Sequence, residues 1–152
     1  MFGVSLATAV TGYTGTRVLI TCVATDGLSL IDAAHTTCPG ASGPAYTFAV
    51  GFNTLNATAT DRAGNVTSAS TTFTVGLNES SLCTLVRRFV SKDGVATSLC
   101  AKLDSAVAAR ERGNLTVERN ILNAFANEVS AQRGKAITND NANVLMELAA
   151  RI

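Results

Sequence analysis

Residues 55–75 read LNATATDRAGNVTSASTTFTV, two runs of alternating apolar and polar residues on either side of a short polar break. Leu55, Ala57 and Ala59 alternate with Asn56, Thr58 and Thr60, and Ala69, Phe73 and Val75 keep the same period on the return. A period of two puts one side of each run against a core and the other toward water, so the stretch is a β-hairpin. Asp61-Arg62-Ala63-Gly64-Asn65 supplies the turn, because Asp61 can accept from backbone amides ahead of it while Gly64 and Asn65 tolerate positive φ. Beyond Val75 the period becomes helical and stays so.

Working outward, the chain changes composition near residue 78. Residues 1–78 carry Arg17 and Arg62 against Asp26, Asp32 and Asp61, whereas residues 79–152 carry ten basic and eight acidic side chains. The halves are therefore near −1 and +2, too weak a field for nucleic acid or an acidic membrane surface. Two domains are expected, 1–77 and 78–152. The four cysteines divide the same way, and one disulfide within each half, Cys22 with Cys38 and Cys83 with Cys100, is the economical pairing. Such links stabilise a domain of this size by about 3 kcal/mol and belong to an oxidising, extracellular or cell-surface setting. The first residues lack the charge pattern of an export signal, so Met1 is read as opening a piece of a longer exported chain. No apolar run reaches membrane-spanning length, and no membrane insertion is expected.

Upstream of the hairpin, residues 4–10 read as a weak strand and Gly12 to Gly15 as a turn. Val18, Ile20, Cys22 and Ala24 form an alternating run, Asp26-Gly27 and Cys38-Pro39-Gly40 turn the chain, and Tyr46, Phe48 and Val50 suggest a further strand. Short strands at this spacing predict an antiparallel all-β sandwich. The strings Val18-Leu-Ile-Thr-Cys22-Val-Ala-Thr-Asp26 and Ala57-Thr-Ala-Thr-Asp61-Arg-Ala-Gly-Asn65 resemble the immunoglobulin-like, HYR-like repeats of bacterial extracellular proteins. That resemblance implies a spacer or adhesive module without catalysis.

Downstream, Asn78-Glu79-Ser80-Ser81 can cap a helix bearing Leu82, Leu85, Val86, Phe89 and Val90 at helical spacing. A second helix spans about Val95 to Arg112, with Leu99, Leu103, Ala106 and Val107 on one stripe. Gly113-Asn114 ends it and caps a third with Ile121, Leu122, Phe125 and Val129. Thr138 caps a fourth with Val144, Leu145, Leu148 and Ile152. Together these predict an all-α four-helix antiparallel bundle. Leu85-Val-Arg-Arg-Phe-Val90, Ser98-Leu-Cys-Ala-Lys-Leu103, Glu111-Arg-Gly-Asn114 and Leu122-Asn-Ala-Phe-Ala-Asn-Glu-Val-Ser-Ala-Gln-Arg-Gly-Lys-Ala-Ile137 resemble the FIMAH domain, a helical module of large secreted bacterial proteins. The resemblance implies location and architecture and assigns no functional residue.

No catalytic constellation stands out. His35, the single histidine, lies in a Thr-rich loop with no indicated nucleophile or orienting acid. Asp104, Glu111, Glu118 and Glu128 fall outside the apolar stripes and are read as solvated. Asp26, Asp61 and Asn65 offer three oxygens if their loops share one end, short of the six to eight that calcium takes. No cofactor and no metal site is assigned. Asn56, Asn65, Asn78 and Asn114 begin N-x-S/T sequons, which a Thr- and Asn-rich chain produces readily. With no Trp, and most Phe expected in the core, Tyr13 and Tyr46 are the candidate sugar platforms, Tyr46 being expected nearer the core, and the Arg87-Arg88 pair is a second candidate binding feature. The expected function is a non-catalytic accessory or spacer tandem attached to the remainder of a larger secreted or surface-bound bacterial protein. The alternative is a binding module for a cell-wall or environmental polysaccharide or a cell-surface protein. Self-association is open, through Phe2, Leu115 or Met146.

Overall fold

The computed structural model describes residues 2–6 and 12–152, and the chain divides into two compact units, Met1–Gly76 and Leu77–Ile152. In the first unit, β1 (Gly3–Leu6) pairs antiparallel with β4 (Cys22–Thr25), and β3 (Arg17–Ile20) pairs antiparallel with β5 (Ala41–Pro44). The hairpin is formed by β6 (Gly51–Thr60) and β7 (Val66–Gly76), and β2 (Gly12–Tyr13) lies parallel to the end of β7. Of the expected strand over 4–10, residues 7–10 lie outside the described residues.

The antiparallel sandwich expected from strand spacing is not what forms. The alternating run from Arg17 is not one strand, because its ladder changes partner at Thr21: β3 goes to β5, and β4 goes to β1. Strands that would have built two broad sheets are shared among three small ones, in the orders β1-β4, β3-β5 and β2-β7-β6. A second correction concerns Tyr46, Phe48 and Val50, which lie in a short 3-10 turn (Ala45–Thr47) and the segment after it. Ala45 N–H donates to the Thr16 carbonyl at 2.8 Å, and Thr47 Oγ1 donates to the Pro44 carbonyl at 2.8 Å, so the chain curls here before β6 begins. Phe48 still reaches inward, meeting Phe73 edge to face at 5.4 Å. The core of this unit gathers Val18, Ile20, Ala41, Ala45, Phe73 and Val75, with Leu6, Phe48 and Leu55 packed against it.

The hairpin follows its alternation over more residues than the sequence pattern alone marked. Leu55 opposes Thr71, Ala57 opposes Ala69, and Thr60 opposes Val66. Gly64 takes φ +89° in the turn, a region a side chain would resist. Gly76, at the end of β7, is held by space, because a Cβ there would sit 2.9 Å from the Tyr13 ring.

In the second unit, α1 (Glu79–Phe89), α2 (Asp93–Glu111), α3 (Leu115–Gln132) and α4 (Asn139–Ala149) start at side-chain caps except α2. Asn78 and Ser81 form a reciprocal capping box, and Asn114 and Thr138 each accept from the amide three residues on. Gly113 at φ +72° ends the segment after α2. The expected antiparallel four-helix bundle does not form either. At 1.5 Å per residue, α1 and α4 are about 16 Å long against about 28 Å for α2, so they cannot pair along its length. Where they stop, the α1–α2 and α3–α4 connections join through a Val90–Ile137 bridge, and Ser91 N–H donates to the Ala136 carbonyl at 2.9 Å. The protein is therefore mixed α/β, with the strands in one unit and the four helices of the described residues in the other.

Candidate functional site

Two connections, β4–β5 and the β6–β7 turn, meet at one end of the β unit. Asp61 closes β6 and is buried, its Oδ1 accepting from Asn65 N–H at 2.8 Å and its Oδ2 from the Asn65 amide at 2.7 Å. Ser29 Oγ lies 2.8 Å from Asp61 Oδ2 and 2.8 Å from Asp26 Oδ2, so one hydroxyl hydrogen serves two carboxylates. Asp26 also accepts from the amides of Ser29 at 2.8 Å and Leu28 at 3.3 Å. These bonds stabilise the ionised forms. The Asn65 amide, with help from Ser29, holds Asp61 below the usual carboxylate range, and the Ser29 hydroxyl does the same for Asp26. The cluster thus brings Asp26, Asp61 and Asn65 together, with the two carboxylates already engaged by Ser29 and Asn65. Among the described residues no group of three or more His, Cys, Asp or Glu is arranged to hold a metal ion.

The adjoining loop corrects the reading of His35. Its Nδ1 is 2.7 Å from Asp32 Oδ2, so an orienting acid is present three residues away, and that contact lowers the Asp32 pKa. The hydroxyl beside it is committed elsewhere: Thr36 Oγ1 donates to the Thr60 carbonyl at 3.3 Å and accepts from Thr60 N–H at 3.1 Å. The pair tethers the loop to the hairpin.

Between these anchors the chain passes through Leu30 at φ +66°, the one described non-glycine residue in the left-handed region. Arg62 N–H donates to its carbonyl at 3.0 Å, and Asp32 N–H donates to the Thr60 carbonyl at 2.8 Å, so neighbouring bonds hold a conformation that a branched side chain disfavours.

Both expected disulfides are formed, Cys22–Cys38 with Cα atoms 5.5 Å apart and Cys83–Cys100 with Cα atoms 5.2 Å apart. Tyr13 is 55% exposed, with its ring edge against Gly76 and its carbonyl accepting from Thr16. Arg87 and Arg88 are exposed in the last turn of α1, in the other unit. Among the described residues no helix is long and apolar enough to cross a membrane.

Two features escaped the sequence reading. Glu118, expected on a solvated face, is buried with Glu79. Arg110 reaches both, at 2.5 Å to Glu79 Oε1 and 3.1 Å to Glu118 Oε1. Each charge suits its helix end, with the carboxylates in first turns and the guanidinium in a last turn. Glu79, then Glu118, raises the Arg110 pKa. Glu128 is likewise only partly exposed, 2.6 Å from Lys102 and 3.1 Å from Ser98. The second feature is Phe52, which stands 88% exposed on the outer face of β6. Parity with Leu55, Ala57 and Ala59 already points it outward.

No family model, no curated protein and no solved structure matches the chain.

Proposed function

We propose that the chain is a non-catalytic accessory tandem of a larger exported protein, spacing or presenting a functional region carried elsewhere. The observation that carries this reading is the pairing of its cysteines: two units of similar size, each closed by its own disulfide. Internal disulfides of this kind are how small domains hold together in oxidising surroundings without a large core. Each unit also has its own apolar centre, around Phe73 in the first and around Leu85, Leu99 and Phe125 in the second. The resemblance of the second unit to FIMAH modules points to the same setting. An extracellular or cell-surface location follows from this reading.

Separate expression of residues 1–76 and 77–152 in an oxidising compartment tests it. Each unit is expected to melt cooperatively alone and to lose stability on reduction. A unit that unfolds when cut from its neighbour would remove the modular reading. Turnover of a hydrolase substrate panel by the purified whole chain would replace it with an enzyme.

A further inference from the structure

The outer face of the β6–β7 hairpin carries no ionisable group: none occurs from Gly51 to Thr60 or from Val66 to Gly76. A sheet face that only meets water ordinarily mixes in Lys and Glu, which also discourage edge pairing. Here the exposed positions are Phe52, Thr54 and Asn56 on β6 and Val66, Ser68, Ser70 and Thr72 on β7. The register sets Thr54 against Thr72 and Asn56 against Ser70, giving two facing columns of hydroxyl and amide groups. Around Asn56, Thr58, Ser68 and Ser70 the face dips into a shallow depression of about 390 Å³, which Ala57 and Ala69 also line. Phe52 lies on the same column about 14 Å from Asn56, at 3.4 Å per residue.

We propose that this face binds an uncharged polysaccharide chain, with Phe52 as a stacking platform and the Asn56–Ser70 depression receiving the hydroxyls of a neighbouring sugar. Charge complementarity selects this occupant. Nucleic acid and anionic membranes require Lys and Arg, and the face has neither. The buried core of a protein interface is more apolar than the surface around it, and this face offers Phe52 toward one end and Val66 toward the other with only hydroxyl and amide side chains exposed between them. A neutral glycan matches what is present, because it offers apolar C–H faces to an aromatic ring and hydroxyls that both donate and accept. Ser, Thr and Asn side chains also do both. The separation of ring and depression suits a stretch of several sugars better than a monosaccharide. The assignment is independent of the accessory reading above.

The whole chain is sedimented with washed cellulose, chitin and insoluble β-1,3-glucan in low salt and in 0.5 M NaCl. Saturable retention on at least one, unchanged by salt, is expected. Phe52→Ala is expected to weaken it at least tenfold, Phe52→Trp to preserve or tighten it, and Asn56→Ala to weaken it a few-fold. Because Phe52 is outside the core, Phe52→Ala is expected to keep the parent melting curve, which separates lost binding from lost folding. Absence of retention on all three, retention indifferent to Phe52→Ala, or retention abolished by salt would each overturn the proposal. So would sedimentation velocity showing a dimer that Phe52→Ala dissolves, which would give the face to a second copy.

Discussion

The two units are each about 76 residues and each closed by one disulfide, yet they hold together by different means. The helical unit fills its centre with large side chains, including Leu82, Leu85, Leu99, Leu103, Phe125 and Leu145, all fully buried. Among the described residues, four of the strand unit's eight buried hydrophobic residues are alanine, at positions 41, 45, 57 and 59, with Phe73 its largest core residue. Charge is used oppositely as well. The helical unit buries Glu79 and Glu118 around Arg110 at three helix ends, while the strand unit ties its loops with Asp26, Ser29, Asp61 and Asn65. Apolar volume stabilises in proportion to area buried, so the helical unit has the larger margin, and the strand unit leans more on its covalent and polar ties.

The largest expected effect separates the units. Replacing Cys22 and Cys38 by Ser should remove about 3 kcal/mol and leave the strand unit largely unfolded at 37 °C. The same change at Cys83 and Cys100 costs about as much but should leave the helical unit folded. Calorimetry on both double variants checks this, and equal loss of both transitions would break the comparison.

Arg110→Ala leaves two buried carboxylates facing one another without a cation. Removing one partner of a fully buried pair costs about 3–5 kcal/mol. The Arg110 side chain is 41% exposed, so about 1–3 kcal/mol is expected, read as a lower denaturation midpoint of the helical unit alone.

Acid sharpens the contrast from the other side. The pKa values of Asp26, Asp32 and Asp61 are lower in the folded chain than in the unfolded one, so the unfolded state binds more protons as pH falls. Their contribution is complete above the unfolded value near 4 and is lost as pH falls through the lower folded values. The strand unit's melting temperature is expected to drop below about pH 4, and Asp61→Asn should flatten that dependence. An unchanged profile in Asp61→Asn would remove the loop cluster from the account.

The smallest effect has the opposite sign. Leu30→Gly removes a left-handed strain of about 1–2 kcal/mol but adds freedom to the unfolded chain, so a net gain of about 0.5–1 kcal/mol is expected in the strand unit. A loss on this substitution would mean that the Leu30 side chain contributes packing that offsets its backbone.

Local chemistry was legible. Asn78, Asn114 and Thr138 cap the helices they precede because a cap needs only the next three residues, and the 55–75 stretch folds back on itself because both strands and the turn lie within it. The outward position of Phe52 was legible too, from parity with Leu55 and Ala57, though composition had placed most phenylalanines in the core. The partner change at Thr21 was not, since one alternating run serves one sheet or two equally well. Nor was the burial of Glu118, whose place off the apolar stripe signals water unless a distant Arg110 arrives to compensate it.

The sequence by itself determined the 55–75 hairpin and its buried face, the caps of three of the four helices and which cysteines share a unit, because period, caps and turn residues act over a few positions. The tertiary structure alone decided how the strands divide among sheets, why four helices of unequal length do not make an antiparallel bundle, and which charges are buried. Those outcomes depend on ladder partners, relative lengths and counter-charges supplied by residues far along the chain.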